Sequence, residues 1–151
     1  MSQSLQASPR VSADLYVEVM TFYARQMRLL DELDIDRFVQ TFTEDGSVAH
    51  PHRAEEVRGR ADMRVKMGRA LPEYVDVVTR HWFDHFLLDH DGDELQVTYY
   101  SLVTEADMDG AVRLKTSSAV EDVLVREDDG QLRIRARVIR RDTPEAVRPR
   151  G

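Results

Sequence analysis

Apolar side chains recur at three- and four-residue steps over residues 13–33, through Leu15, Val19, Phe22, Leu29, Leu30 and Leu33, the period of an amphipathic helix. Ser12 stands where such a helix needs an N-cap. Tyr16, Met20, Tyr23 and Met27 widen the apolar stripe, Gln26 falls inside it, and Asp31 lies at its edge. Polar groups so placed need partners or water. A short second helix is predicted over residues 35–42, capped by Asp34 or Asp36, with the acidic turn Glu44-Asp45-Gly46 ending it before a short extended stretch, 47–50. Pro51 keeps His50 out of helical geometry. A third helix is predicted over 59–70, closed by Leu71-Pro72.

The period then changes. Residues 77–88, 94–105, 111–125 and 131–141 are rich in Val, Leu, Thr and aromatics, and Asp91-Gly92-Asp93, Asp109-Gly110 and Asp128-Asp129-Gly130 separate them with turn chemistry. The pattern predicts a meander of four long antiparallel strands after a helical first half. Such an α+β chain packs its helices on one face of a curved sheet and leaves a cavity between the layers.

Composition narrows the chemistry. The chain has 151 residues, 42% of them hydrophobic, and no cysteine, which fits one domain over 13–142 between flexible tails at 1–12 and 143–151. Thiol catalysis, zinc fingers and iron–sulfur clusters all need cysteine. No apolar run is long enough to span a membrane and no secretory signal opens the chain, so a cytoplasmic location and no membrane partner are expected. With 28 acidic against 21 basic side chains the net charge is −7, which opposes nucleic-acid binding.

The order of these elements carries a resemblance, together with Asp31-Glu-Leu-Asp-Ile-Asp36, Phe42-Thr-Glu-Asp-Gly46, Val48-Ala-His-Pro51, Gly59-Arg60-Ala61, Arg80-His-Trp82 and Glu121-Asp-Val-Leu-Val125. The chain resembles the nuclear-transport-factor-like superfamily of cone-shaped α+β domains, which includes ketosteroid isomerase, scytalone dehydratase and the SnoaL-like polyketide cyclases. It is most similar to the SnoaL-like group that accompanies polyketide biosynthesis. By that resemblance, His50 occupies the place of the isomerase general base and of a water-activating tyrosine in the dehydratase. Asp31 and His81 fall on an aspartate and a histidine of the dehydratase. Its second histidine would fall near Ala106, where this chain has none. The isomerase oxyanion-hole tyrosine falls on Gln26, and its neutral aspartic acid on Asp122.

Each residue also has a reading of its own. An imidazole at His50 can accept a proton at neutral pH and return it, or it is a solvated loop histidine beside Pro51 and His52. Strand alternation sends His81, Phe83 and His85 to one face and Trp82, Asp84 and Phe86 to the other. Asp31 is placed to orient an imidazole or to sit in water at a helix end. Asp122 interrupts an apolar strand and is expected either to donate a hydrogen bond as a buried acid or to pair with a sheet arginine. Tyr16, Tyr23, Gln26, Phe83 and Tyr99 are candidate substrate contacts; Tyr99 and Tyr100 must face opposite ways. His81 and His85 stand too far apart along an extended strand to share a metal, so no metal site is expected. Arg133, Arg135, Arg137, Arg140 and Arg141, alternating with Ile134, Ala136 and Val138, predict one basic sheet face, paired with Glu121 or with a second subunit.

Together these imply a cofactor-independent cyclase or dehydratase, acting by acid–base chemistry on a polycyclic aromatic polyketide intermediate. His50, or His81 with Asp31, would move the proton, a tyrosine or Asp122 would stabilise the enolate oxygen, and the protein would form a homodimer through its sheet. The alternative is a noncatalytic polyketide-binding or accessory subunit of the same fold, resembling the dioxygenase small subunit. Convergence of His50 and His81 on one cavity favours the enzyme.

Overall fold

The computed structural model describes residues 10–143; the expected tails lie outside these residues except for positions 10–12 and 143. Helix α1 spans Ala13–Asp31, and its cap is the one predicted, Ser12 Oγ accepting from the Leu15 N–H at 3.1 Å. It buries Val19, Tyr23, Gln26 and Met27. Helix α2 (Ile35–Val39) is capped by Asp34, which accepts from the Arg37 N–H, and α3 covers Arg60–Ala70. No helix among the described residues is long and apolar enough to cross a membrane.

Helix α2 is shorter than predicted because Phe42 already belongs to a strand. Strand β1 runs Phe42–His50. The Thr41 carbonyl accepts from the Ile134 N–H at 2.9 Å, and the Arg60 guanidinium grips the Phe42 carbonyl at 2.6 and 2.9 Å. Glu44-Asp45 is therefore a bulge inside β1, where the pairing jumps from Phe42↔Ile134 to Ser47↔Ala136. Gly46 makes the bulge possible: a Cβ there would stand 3.0 Å from the Ile134 carbonyl oxygen and 3.1 Å from the Phe42 Cβ. A 3₁₀ turn at Pro51–Arg53, ending with Ala54 at φ +50°, leads into the short strand β2 (Glu55–Arg58), which the sequence pattern did not reveal. The first half is thus not purely helical.

The predicted meander is present as β3 (Val78–Asp91), β4 (Glu94–Ala106), β5 (Val112–Arg126) and β6 (Leu132–Arg141). The strands pair in the order β2-β1-β6-β5-β4-β3, with β1 parallel to β6 and every other neighbour antiparallel. Three helices pack against this curved, unclosed six-stranded sheet, an α+β cone. The core between them includes Val19, Phe38, Phe42, Val97, Leu124 and Ile134.

Two further bulges overturn the alternation read from the sequence. In β3 the pairing passes from Asp84↔Tyr100 to Leu87↔Thr98, with His85 at φ +61°. The extra residue turns Phe86 to the inner side and leaves His85 exposed, so His81 and His85 do not share a face. In β6 the extra residue is Arg135, between the pairs Leu124↔Ile134 and Val123↔Ala136. Ile134 and Arg137 are consequently both buried, at 0% and 4% exposure. The expected basic face is broken: Arg133, Arg135 and Arg140 pair outside with Asp129, Glu94 and Glu121, while Arg137 points into the molecule.

Candidate functional site

A cavity of about 390 Å³ lies between the helices and the inner sheet face. His50 from the end of β1 and His81 from β3 both line it, as do Phe83 and Tyr99. Its body is apolar, with Phe38, Phe42, Met63 and Met67 among the walls. Such a space suits a flat hydrophobic ligand held by a few polar groups.

Asp31 closes α1, and two bonds tie it to His81. The carboxylate stands 2.7 Å from the ring Nδ1 and accepts from the His81 main-chain N–H at 3.2 Å. Its side chain is only 9% exposed. A carboxylate only accepts, so Nδ1 carries a proton and Nε2 is left as the acceptor of the ring. The same carboxylate stabilises the imidazolium once Nε2 takes a proton.

His50 is held differently. Its Nδ1 is buried without a hydrogen bond and lies 3.9 Å from Glu55 Oε1. Burial first, then the charges of Arg53 and Lys66, followed by His52 and Arg141, push its pKa down to about 4. At neutral pH it is an uncharged imidazole.

Asp122, Tyr23 and Gln26 do not line the cavity; they form a buried network behind its wall. Asp122 accepts from Arg137 at 2.9 Å on each oxygen, from Tyr23 at 2.7 Å and from Tyr99 at 2.9 Å. Arg137 also donates to Gln26 Oε1 at 2.8 Å, and Gln26 donates to Thr41 Oγ1 at 2.7 Å. Of the two readings of Asp122, the arginine pair is the one present. As the acceptor of four hydrogen bonds it offers no donor to a ligand. Burial works to lower the pKa of Arg137, but Asp122 and the two tyrosines outweigh it and raise it, so the guanidinium stays charged. Burial, with the Asp122 charge beside them, also raises the Tyr23 and Tyr99 phenols well above their usual value. Tyr16 is 43% exposed and away from the cavity.

Arg137 is the site residue that sequence reasoning missed, for it both anchors this network and lines the cavity. Its one signal was indirect: an acid interrupting an apolar strand demands a buried cation. Among the described residues, no group of three His, Asp or Glu side chains is placed to hold a metal ion.

A model of the SnoaL-like domain matches residues 11–138, while no curated protein matches the chain. Among solved structures, the chain is similar to ActVI-ORFA from Streptomyces coelicolor, with 36% identity and a TM-score of 0.78 over 85% of this chain and 98% of that one. It is similar to Aln2 from a Streptomyces species, with 34% identity and a TM-score of 0.80 over 87% and 93%. A protein from Catenulispora acidiphila, solved in complex with S-DNPA, shares 35% identity at a TM-score of 0.79 over 87% and 96%. With this helical layer and open sheet, and with a family model that spans most of the sequence, the chain belongs to the SnoaL-like domain family.

Proposed function

We propose that the cavity holds a polycyclic aromatic polyketide intermediate and that the protein is a cofactor-independent cyclase or dehydratase. The observation that carries this reading is the Asp31–His81 pair, 2.7 Å apart in the wall of an apolar cavity. His81 Nε2 removes a proton from the carbon next to a ligand carbonyl, and Asp31 stabilises the imidazolium that forms. The fixed charge of Arg137 faces the developing enolate oxygen, in place of the tyrosine or Asp122 that the sequence suggested. As the enolate collapses it expels a neighbouring hydroxyl, which leaves as water with the proton from His81, or its carbon attacks a second carbonyl and closes a ring. His50, kept neutral by its surroundings, hydrogen-bonds the ligand hydroxyl or carbonyl and is a weaker base than an ordinary imidazole. A neighbour solved with a bound small molecule supports a ligand-holding cavity.

The test is to incubate the purified protein with a panel of polycyclic aromatic polyketides and follow mass and absorbance. Loss of one water, or an isomeric shift, is expected in the wild type and slowed roughly 10²–10⁴-fold in His81→Ala. Asp31→Asn is expected to follow it, with binding retained. Binding by all variants without chemistry in any would instead support a carrier or accessory subunit, the reading that the missing histidine at Ala106 favours. We also propose a homodimer through the sheet, because Trp82, Tyr100, Leu102, Val112 and Leu114 are 42–69% exposed on strands β3 to β5.

A further inference from the structure

The sheet floor of the cavity carries hydroxyl groups beside its aromatic side chains. Ser101 of β4 and Ser118 of β5 stand directly opposite each other, both line the cavity, and they are only 7% and 5% exposed. Ser101 also pairs with Phe83, two residues after His81 on β3, and Thr79 stands two residues before His81. Side chains two apart on a strand share a face, and the bulge of β3 begins only after Asp84. Hydroxyls therefore bracket His81 along the strands, with Thr79 on one side and the serine pair on the other. Thr79 is short of a partner. It lines the cavity at 6% exposure, and its hydroxyl oxygen is buried without a hydrogen bond. Folded proteins leave few buried polar groups unpaired, because each one is costly. A ligand oxygen beside Thr79 supplies the missing bond. A hydroxyl both donates and accepts, so this bracket suits phenol and ketone oxygens and demands no charge.

We infer that Thr79, Ser101 and Ser118 select and orient the ligand: an aromatic compound oxygenated at two separate positions, one oxygen at Thr79 and the other at the serine pair, with the carbon between them held at His81. The inference rests on the reading of this cavity as the ligand site, and adds the oxygenation pattern of the ligand and the residues that read it. These three side chains hold the ligand and move no proton. A site built to hydrogen-bond a hydroxyl discriminates strongly against the analogue that lacks it, because its own polar groups are then left unpaired.

The test titrates protein into 2,7-dihydroxynaphthalene, which has a hydroxyl on each ring, and into 2,7-dimethylnaphthalene, a hydrocarbon of the same size, with ligand fluorescence reporting binding. Relative to the wild type, the triple variant Thr79→Val/Ser101→Ala/Ser118→Ala is expected to weaken the diol about tenfold or more. It is expected to bind the hydrocarbon as tightly as before, which also shows that the cavity is intact. Thr79→Ser, which keeps the hydroxyl, is expected to retain the diol. Diol affinity unchanged in the triple variant overturns the inference and leaves the aromatic cavity standing. An equal loss of both compounds overturns it as well, since the hydroxyls would then serve packing alone. Should the triple variant not fold, Thr79→Val and Ser118→Ala taken singly carry the same test. Each is expected to weaken the diol alone by about threefold, and no change in either overturns the inference. Failure of the wild type to bind either compound at about 1 mM protein defeats the cavity reading itself and this inference with it.

Discussion

A histidine held at a pKa of about 4 makes folding sensitive to acid. The unfolded chain binds a proton at His50 near the ordinary value of 6.5, and the folded chain refuses it until about 4. Stability contributed by this residue is therefore fully present above 6.5 and is lost as pH falls from there toward 4. The effect has an upper limit of about 3 kcal/mol. Melting temperatures followed by circular dichroism between about pH 7 and pH 4 are expected to fall more steeply for the wild type than for His50→Gln. Parallel curves would show that His50 carries no such penalty. The two histidines thus differ in their partners although both line one cavity: the His81 Nδ1 stands 2.7 Å from a carboxylate oxygen, and His50 sits buried among cations that resist its charge.

Among the elements, α1 is tied to the sheet by polar bonds as well as by packing. Tyr23 and Gln26 of α1 meet Asp122 of β5 and Arg137 of β6 in a network with almost no exposure. Asp122→Asn leaves the Arg137 charge buried without its counter-ion. It is expected to cost about 3–5 kcal/mol in urea unfolding. The double variant Asp122→Asn/Arg137→Met removes the unpaired charge and keeps an acceptor for Tyr23 and Tyr99; it is expected to cost less than the sum of the two single changes, and a loss equal to that sum would refute the coupling. This network also marks where the sequence stopped being legible. Helical period and caps at Ser12 and Asp34 located α1 and α2, and the Asp-Gly turns located the four long strands. The family positions of Asp31, His50 and His81 pointed to three residues that the fold gathers around one cavity or into its wall. Arg137 stayed hidden because strict alternation has no place for an extra residue, and the bulge at Arg135 turns the following side chains over. Strand β2, four residues of alternating burial with three charged side chains, has too weak a pattern to announce itself.

At the scale of the molecule the sheet has two unlike faces. The inner one encloses the cavity, and the outer one exposes Trp82 beside Leu102, paired across β3 and β4, with Tyr100, Val112 and Leu114 on the same strands or the next. This apolar surface is the face that the proposed dimer would cover. Sedimentation analysis is expected to show a dimer for the wild type and a monomer of unchanged circular dichroism for Trp82→Lys/Leu102→Arg. A wild-type monomer at micromolar concentration would exclude the sheet as a dimer face. The strand order carries a consequence for how the protein comes into being. The parallel partner of β1 is β6, the last strand among the described residues. Until it emerges from the ribosome, β1 and β2 have no sheet to join, and Asp122 has no guanidinium. The β3–β5 hairpins can form as local units, but the closure that brings residues 42–49 against 134–138 spans most of the chain and comes late. A nascent chain stalled before residue 132 is therefore expected to expose inner-face side chains such as Phe42 and Leu124, which pair with or pack beside Ile134 of β6 in the complete fold.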